Sequence, residues 1–427
     1  GITTIAGNIT DGAGTARLNS ITKAGTGVLE FTGTNTYSGF TNINAGTILV
    51  SNDSSISPNS QISFNGGTLG IWNSSFTTNR NYILLGTGIF DVGDGKTLTQ
   101  QGPVGSDLGS NISGAGLLVK TGLGTLVLNG VNSNNGGNAV QINNGILQIS
   151  ANVNLGDPVA NGQIVAAGGT LRVDGTFSSA RNILPNTNAT TILGLNVTAG
   201  NAFTTTGLLN NNGTGIFTLM KTGPGTLINN SNNSLRRLFV TNGVFQSSSN
   251  TPVAAAASEI NLDGGTLFLR NVAGNQAVVT PVANFRGGGH IDLESGATFS
   301  SQFAPTTLNR FATGTLVITA RGTSTLGGAG NTNAVRVLPT NLVFAANRTA
   351  TTTASNVVTV PNTADLAVGM TVTGTGIPAN ATITAINSGT SITISAAATA
   401  ANTYLSFSGN NPRANSVNNG ILPASIL

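Results

Sequence analysis

The sequence predicts an all-β fold, a right-handed parallel β-helix (β-solenoid) with a small β module inserted near the C-terminus. Three observations predict it. The composition is poor in charge and rich in glycine, and recognisable landmarks return at steps of 97 and 101 residues. Between the landmarks lie short alternating strands that end at Gly, Asn or Asp. A coil of short strands joined by tight turns accounts for all three.

The composition excludes several classes of protein. Only 7% of the 427 residues are charged and 58 are glycine, whereas about a quarter of an ordinary soluble domain is charged. The helix formers Lys, Glu, Met and Gln are scarce, which disfavours an all-α or conventional α/β enzyme. Disordered chains are poor in hydrophobic residues, but here 39% are hydrophobic. The chain therefore has enough apolar material for a long core.

Charge and cysteine content limit the partners and cofactors. Lys and Arg exceed Asp and Glu by only four, so we expect no nucleic acid partner. Cysteine is absent from the sequence, which excludes disulfides and thiolate metal sites. No run reaches the roughly 18 apolar residues of a membrane span. The chain begins at Gly1 without a basic and apolar leader, and we expect a processed or excised piece of a longer protein.

Four landmarks recur in the same order and define super-repeats of about 100 residues. The first opens the motif Lys-x-Gly-x-Gly, the second and third are glycine-led strand starts, and the fourth is an Arg-Asn pair. They are Lys23, Lys120 and Lys221; Gly46, Gly145 and Gly243; Gly66, Gly168 and Gly264; and Arg80 and Arg181. Their regular order predicts one structural unit that is used repeatedly.

Each super-repeat contains smaller units, each about 20 residues long, which is the short end of the range for repeat proteins. Gly25, Gly46 and Gly66 mark equivalent places in successive units. A unit this short cannot bury its own apolar face, so we expect stacked turns around one apolar column. A leucine-rich repeat has a unit of similar length, but its consensus is absent. Glycine permits corners with positive φ, asparagine tolerates them, and Asn and Thr side chains can form ladders along the stack.

We expect three segments. Residues 1–348 form the β-helix, 349–408 form the small inserted β module, and 409–427 resume the β-helix. The module contains four short alternating strands, at 357–360, 370–373, 381–386 and 391–394. The stretch 418–422 then repeats the Asn-Gly-Ile-Leu motif of 144–147, which favours an insertion over a terminal domain.

Residues 25–49 resemble a known family. They contain a Gly-x-Gly-Val-Leu strand, an Asn-Thr-Tyr-Ser-Gly corner at 35–39, and an Ala-Gly-Thr-Ile-Leu strand. This pattern resembles the passenger-associated repeats of bacterial autotransporters and related giant surface proteins. The copy at 120–147 keeps both strands and replaces the corner, and the copy at 221–245 has lost most of the corner. The resemblance implies an exported bacterial β-helix, located outside the cell or on its surface, and assigns neither a ligand nor an activity.

The best candidate for a chemical site is the segment that holds His290, Asp292 and Glu294. Alternation along a strand places these three side chains on one face, where they can bind a metal or act as acid and base. Ile291 and Leu293 then point inward, so a solvated outer face explains the same pattern. We favour the solvated face.

Asp91 and Asp94 suggest a calcium turn, but calcium takes about six to eight oxygen ligands, and a turn-stabilising role is the simpler interpretation. Thirteen acidic residues spread over the whole chain argue against a pair of convergent catalytic carboxylates. We therefore expect no catalytic, cofactor or metal site.

Other residues are interpreted by their position in the repeats. The equivalent lysines predict a structural ladder or an exposed corner, and Arg236 and Arg237 predict a pair on an outer face. Tyr37 and Trp72 are the aromatic side chains that can contact a sugar.

Three functions fit these features. The leading hypothesis is a non-catalytic extracellular structural β-helix, a stalk, fibre or surface-layer component of a bacterial cell that associates with itself. The second is an adhesin that binds glycans or host surface molecules. The third is a carbohydrate-active β-helix enzyme, against which the low charge argues. The expected partners are other copies of the chain as a homo-oligomer or fibre, cell-surface components, or glycans.

Overall fold

The structure, a computed structural model, consists of β-strands and corners. It describes residues 1–408 with the exception of 13–18, 59, 103–110, 136–137, 158–161, 187–189, 211–214, 250–252, 254–257, 271–275, 295–300, 311–314, 322–324, 327–333, 338–345, 350, 353–354, 362, 364–365 and 400–403. Helix within these ranges is limited to two 3-10 segments, Asp53–Ser55 and Asn152–Leu155. The predicted all-β fold is confirmed. The chain divides into two compact units, Gly1–Ile228 and Asn229–Leu427.

Parallel strands, numbered in chain order, form four sheets in the described part of the first unit. Sheet I contains β2 (Ile21–Lys23), β4 (Thr41–Ile43), β6 (Ile62–Phe64), β9 (Tyr82–Leu84) and β12 (Ile112–Ser113). Sheet II contains β1 (Ile2–Ile5), β3 (Val28–Phe31), β5 (Thr47–Val50), β7 (Thr68–Ile71), β10 (Gly88–Val92), β13 (Leu118–Thr121), β15 (Asn138–Ile142), β17 (Gln163–Ala166) and β20 (Ile183–Pro185). Within this unit, sheet III contains β8 (Phe76–Thr78), β11 (Thr97–Gln100), β14 (Thr125–Leu128), β16 (Ile146–Ile149), β18 (Thr170–Val173), β21 (Thr191–Val197) and β23 (Phe217–Thr222). Sheet IV contains β19 (Phe177–Ser179), β22 (Ala202–Thr205) and β24 (Thr226–Asn229).

Consecutive strands belong to different sheets, so the chain winds as a parallel β-solenoid. Strands β6, β7 and β8 lie in sheets I, II and III, and β9 then returns to sheet I beside β6. In sheet II, Val28 lies opposite Thr47 and Thr47 opposite Thr68, so the predicted short unit makes one turn here. Ile89 lies opposite Val119, which is a longer step along the chain. The predicted unit therefore holds for the first turns, whereas a later turn carries a longer connection.

Apolar side chains stack in columns inside the solenoid. On successive strands of sheet III the inward-facing, fully buried residues are Leu98, Leu126, Leu147, Leu171 and Leu195. Burying one leucine side chain stabilises the fold by about 1.5–3 kcal/mol relative to leaving it exposed. The alternation seen in the sequence follows from this arrangement, because every second residue of each short strand points into the column.

The corners between strands require glycine at defined places. Gly46 has φ of 63°, a conformation that other residues rarely adopt. A Cβ atom at this position would lie 2.4 Å from the carbonyl oxygens of Gly25 and Gly27 on the preceding turn. Only glycine therefore allows the two turns to approach this closely, as the sequence predicts.

The super-repeat does not contain a whole number of turns. Lys23 lies at the end of β2 in sheet I, Lys120 lies in β13 in sheet II, and Lys221 lies in β23 in sheet III. From β2 the chain passes through four further strands of sheet I before it reaches β13 in the neighbouring sheet. From β13 the chain passes through three further strands of sheet II, and Leu209 then pairs parallel with Ile183 of β20 before the chain reaches β23 in sheet III. Each of these two steps thus advances by four turns and one face.

The 3-10 segments show the same advance. In the first super-repeat the segment Asp53–Ser55 comes directly after a strand of sheet II, and in the second the segment Asn152–Leu155 comes directly after a strand of sheet III. The following turns place β8 in sheet III in the first case and β19 in sheet IV in the second. The two super-repeats are therefore built alike, and the second is turned by one face relative to the first.

The second unit begins with parallel strands of the same kind. One series contains β25 (Arg237–Val240), β27 (Glu259–Leu262), β29 (Gln276–Phe285), β31 (Ser301–Arg310), β33 (Thr325–Leu326) and β34 (Ala334–Val337). A second series contains β26 (Val244–Ser247), β28 (Thr266–Arg270), β30 (Gly288–Glu294) and β32 (Thr315–Ala320).

The strands that follow pair antiparallel in two small sheets. One sheet contains β35 (Ala346–Thr349), β38 (Thr371–Thr373) and β41 (Tyr404–Ser408), and the other contains β36 (Thr351–Thr352), β37 (Val357–Thr359), β39 (Ile383–Ser388) and β40 (Ser391–Ile394). The pairing β37–β40 and β39–β40 is antiparallel, and the four predicted strands overlap four of these with small differences at their ends. Residues 409–427 lie outside the described ranges, so the boundaries 349–408 and the return to the β-helix stay predictions.

Asparagine has a different role from the one expected at corners. Among the described residues other than glycine, positive φ occurs at Asn380 alone. Asparagine instead forms a ladder on neighbouring strands. The amide of Asn284 donates to Asn261 at 2.8 Å, and the amide of Asn309 donates to Asn284 at 2.9 Å. The predicted ladder is present, but it lies within β27, β29 and β31 rather than at corners.

Candidate functional site

The three equivalent lysines are buried parts of the scaffold. Lys23 is 7% exposed, and Lys120 and Lys221 are fully buried. The Nζ atom of Lys23 donates to the carbonyl oxygens of Ala24 at 3.0 Å and of Gly25 at 2.6 Å. Lys120 and Lys221 make the equivalent bonds to the two residues that follow each of them. The predicted exposed corner is wrong, because all three side chains are buried. The predicted ladder is also wrong, because the three lysines lie in three different sheets and each binds the carbonyls of its own corner.

Burial changes the acid–base behaviour of two of these lysines. Removal from water disfavours the charged ammonium and lowers the pKa of Lys120 to about 8, while the charge of Asp91 acts in the opposite direction. The same cause lowers the pKa of Lys221 to about 8. Both amino groups donate hydrogen bonds to backbone carbonyls of corners, so their role is structural.

Two equivalent arginines clamp the 3-10 segments. The Arg80 guanidinium donates to the Asp53 carboxylate at 2.8 Å, and its remaining nitrogens donate to backbone carbonyls that include those of Asp53 and Ile56. Arg181 in the next super-repeat donates to the carbonyls of Gly156 at 3.0 Å and Asp157 at 2.9 Å. The sequence analysis identified both arginines as landmarks and missed this role, although their equivalent places in two super-repeats were the available signal.

The two aspartates of the candidate calcium turn do not form a shared ligand group. Asp91 lies in β10 and accepts from Trp72 Nε1 at 2.7 Å and from Thr121 Oγ1 at 3.0 Å. Asp94 is exposed in the turn that follows β10. Within the described part of the chain, no group of three or more His, Cys, Asp or Glu side chains is placed to hold a metal ion.

The segment with His290, Asp292 and Glu294 forms a hydrogen-bonded cluster on the outer face of β30. Asp292 is only 2% exposed, so the expectation that all three groups are solvated is wrong for this residue. Its carboxylate pairs with Arg321, whose Nε lies 2.7 Å away, and accepts from Thr319. His290 Nε2 lies 3.1 Å from Asp292 Oδ1 and 3.0 Å from Thr319 Oγ1. Neighbouring turns cover the carboxylate.

The rest of that cluster is more open. The Arg321 guanidinium carbon lies 4.5 Å from the ring centre of Phe268, a cation–π distance. Glu294 pairs with Arg270 at 3.3 Å, and both side chains are partly exposed. Asp292 is saturated by cationic and hydroxyl donors, which leaves it poorly suited to act as a base.

On another strand, Arg237 pairs with a glutamate at 3.1 Å in the same kind of outer-face ion pair.

The two aromatic side chains that the sequence suggested for sugar contact have different surroundings. Tyr37 is fully buried, and its hydroxyl group lies 2.6 Å from Thr41 Oγ1, so contact with a ligand is excluded. Trp72 follows β7 and is 36% exposed. It is the single tryptophan of the sequence. Of the residues named from the sequence, Trp72 and Asp91 are brought together, and Asp94 is not part of their contact.

Asparagines inside the corners are a further feature that the sequence analysis missed. Asn35 accepts from the Ile9 amide at 2.7 Å and donates to the Ser55 carbonyl at 2.6 Å. Asn132 has the equivalent place in the next super-repeat and makes the same two kinds of bond, from the amide of Ile112 and to a carbonyl of the second 3-10 segment. Each side chain thus joins the turn before it to the turn after it.

A family model described as passenger-associated-transport-repeat matches residues 21–50 and 118–149. The first match contains β2 to β5 and the second contains β13 to β16. Each match therefore spans two strands, a connection and two further strands, and each contains the buried lysine near its start. The two matches lie on sheets that differ by one face, as the super-repeat advance requires.

One curated protein with similarity to the chain is the Adhesin BmaC autotransporter of Brucella suis biovar 1 (strain 1330). It is 30% identical over 166 residues, which cover 39% of this chain and 4% of that protein. The chain thus spans a small part of the relative's length. No solved structure matches the chain. None of the described helical segments has the length and apolar character needed to cross a membrane.

Proposed function

Because the chain carries passenger-associated transport repeats, we propose that it is an exported segment of a bacterial surface passenger and acts there as a non-catalytic adhesin scaffold. The observation that carries this proposal is the coincidence of both repeat matches with complete four-strand sections of the solenoid. The similarity to a protein named an adhesin supports adhesion as the role of the scaffold.

The use of the charged side chains supports a non-catalytic role. The lysine and arginine groups inside the first unit bind backbone carbonyls, and Asp292 is held by Arg321 and Thr319. Catalytic acids and bases in glycoside hydrolysis must instead face the scissile bond from both sides. Self-association into a stalk or fibre remains part of the proposal as the way the scaffold gains reach, with a second copy of this chain as the partner.

The test measures adhesion and hydrolysis with the same purified chain. Beads coated with the chain are expected to attach to cultured epithelial cells, whereas beads coated with albumin are not. Incubation with pectin, chitin and cellulose is expected to release no reducing ends. Attachment equal to the albumin control would overturn the adhesive role, and release of reducing ends would overturn the non-catalytic assignment. Light scattering at rising concentration reports self-association.

A further inference from the structure

We propose that Trp72 and the hydrogen-bond acceptors around it form a binding site for a neutral glycan on the outer face of sheet II, an inference that rests on the proposed adhesive function. The site residues are Trp72, Asp91, Glu30 and Asn73. All four lie in the described part of the first unit, on or directly after strands β3, β7 and β10.

The indole ring packs against residues of neighbouring turns. A Cβ atom on Gly70 would come within 3.3 Å of Trp72 Nε1 and 3.4 Å of Leu49 Cδ1, so the indole lies over the glycine and beside the leucine. Leu49 faces outward in the same register row as Gly70, yet it is 2% exposed. One side of the ring is therefore packed against the sheet, and the exposed third of the side chain is available to a ligand.

The orientation of the indole is fixed. Trp72 Nε1 donates to Asp91 Oδ2 at 2.7 Å, and Asp91 Oδ1 accepts from Thr121 Oγ1 at 3.0 Å. Because the ring nitrogen is occupied, what Trp72 offers to a ligand is apolar ring surface. An aromatic side chain held in this way loses little conformational entropy when a ligand stacks on it.

A second acceptor group lies on the other side of the indole. Glu30 accepts from Asn73 Nδ2 at 3.1 Å and from Thr4 Oγ1 at 2.9 Å. A carboxylate can accept about four hydrogen bonds, so Glu30 and Asp91 each keep acceptor capacity after these contacts. The ligand must therefore supply donors around an apolar patch, which is the chemistry of a pyranose ring with its hydroxyl groups.

The separation of the two carboxylates favours an extended ligand. Glu30 is in β3 and Asp91 is in β10, with β5 and β7 between them. Three strand spacings amount to about 14 Å, so a single ammonium group cannot meet both carboxylates. An oligosaccharide that carries hydroxyl groups on every ring can span them. A neutral glycan fits this arrangement better than a cationic group stacked on the indole.

The experiment uses the full chain, with a printed array of neutral and charged oligosaccharides and with lactose and cellotetraose in solution. Because Trp72 is the single tryptophan, its fluorescence reports directly on this site. We expect neutral glycans on the array to bind, a saturable fluorescence change with at least one soluble oligosaccharide, and affinity that does not fall at high salt, since no ion pair is formed.

Three variants locate the site. Trp72→Ala is expected to weaken glycan binding about tenfold or more, which corresponds to about 1.4 kcal/mol, and Trp72→Phe is expected to keep part of it. Leu123→Ala is the matched control, because Leu123 is a large exposed hydrophobic residue elsewhere on the first unit, 65% exposed, and it should bind like the parent chain. Circular dichroism verifies that each variant is folded.

Several outcomes would overturn the proposal. They are binding by no neutral glycan, binding that Trp72→Ala leaves intact, and binding that prefers spermine or polylysine and disappears at high salt. If beads coated with Trp72→Ala still attach to cells as the parent does, the glycan site is wrong while the adhesive function stands. If the parent beads do not attach at all, the adhesive function is wrong whatever the array shows.

Discussion

The ammonium groups of Lys120 and Lys221 take the place that water has at an exposed turn. Each donates to the carbonyl oxygens of the two residues that follow it in its own corner. Carbonyls buried without a donor are costly, about 1–3 kcal/mol for each group. A long side chain that starts in the apolar column and ends at the corner satisfies them while its methylene groups pack inside.

Replacement of Lys120 by methionine tests this role. The substitution keeps an unbranched apolar side chain that is one atom shorter and removes its donors, so the carbonyls of Thr121 and Gly122 lose their partner. We expect the free energy of unfolding to fall by about 1–3 kcal/mol, measured by urea denaturation. Lys96→Met is the control, since Lys96 is partly exposed and should change stability by at most about half a kcal/mol. Equal stability of the two variants would contradict the capping role.

The lowered pKa values predict how stability depends on pH. In the unfolded chain a lysine has a pKa of about 10.4, whereas in the folded chain burial lowers the pKa of Lys120 and Lys221 to about 8. Between these values the unfolded state binds more protons, so the free energy of unfolding should rise with pH from about 8 to about 10. A neutral amine still donates two hydrogen bonds to the corner. Urea midpoints at several pH values measure the effect, and the double variant Lys120→Met, Lys221→Met should lack it.

At the scale of elements, each 3-10 segment is held by an arginine from a later turn. Arg181 contacts the carbonyls of Gly162, Gly156 and Asp157. Short 3-10 segments have poor internal hydrogen-bond geometry, so contacts from outside decide whether they stay ordered. The arginine therefore joins a corner to the strand that follows it one turn later.

Arg181→Met should loosen this segment. We expect a loss of about 1–3 kcal/mol in the free energy of unfolding and faster amide exchange at 152–157, measured by hydrogen–deuterium exchange. The control is Arg172→Met, because Arg172 is partly exposed and makes one side-chain hydrogen bond, to Gln148 at 3.4 Å. Unchanged exchange at 152–157 in Arg181→Met would contradict the clamp.

The outer cluster on β30 gives a second test at this scale. Asp292→Ala removes the buried partner of Arg321, Thr319 and His290, and we expect a loss of about 1.5–3 kcal/mol because the bonds involve charged groups. Glu294→Ala breaks an ion pair that is largely in water, and such pairs contribute about 0–1 kcal/mol. Thermal unfolding of the two variants compares them, and a larger effect of Glu294→Ala would contradict the burial argument.

Particular residues show how far the sequence alone leads. Glycine at Gly46 and the repeated Lys-x-Gly motif predict corners and a stacked coil, because backbone conformation and repetition are local properties. Alternation correctly places His290 and Asp292 on one face. It does not predict that Asp292 is buried, because the residues that cover it, Phe268 and Arg321, come from the turns before and after it.

The sequence predicted only part of the Trp72 site. The tryptophan itself was identified as a possible contact for sugar, and Asp91 was noted as a turn residue. Their contact depends on the register of β7 and β10, in which Gly70 lies opposite Asp91. Spacing within one unit does not give the length of each turn, which differs from turn to turn in sheet II. For the same reason, sequence spacing did not predict the advance of the super-repeat by one face.

At the scale of the whole molecule, the super-repeat is the unit that can be removed. Deletion of Lys120–Met220 joins Val119 to Lys221. The third super-repeat then follows the first directly and stacks on its strands in the place of the second. We expect a folded protein that is shorter by four turns and one face, about 20 Å at the spacing of neighbouring strands. Small-angle scattering measures the length, and circular dichroism verifies the β content.

A mismatched deletion is the control. Deletion of Lys120–Ser231 extends the cut through the rest of β23 and through β24. The shortened β13 then lacks the Lys221 and Thr222 that complete it in the first deletion. The inward and outward positions of the next strands are then shifted, which exposes apolar side chains and leaves backbone groups unpaired. We expect this variant to aggregate or to unfold at a lower temperature. Equal behaviour of the two deletions would contradict the super-repeat as a structural unit.

The advance by one face has a consequence for how such chains grow by gene duplication. If each copy contained a whole number of turns, every equivalent loop would lie on the same side of the coil. Here each new copy continues the stack of strands, and its loops lie on a different side of the coil from those of the copy before it. Insertion of one more super-repeat would therefore turn the loops of the copy that follows it by one face of the coil.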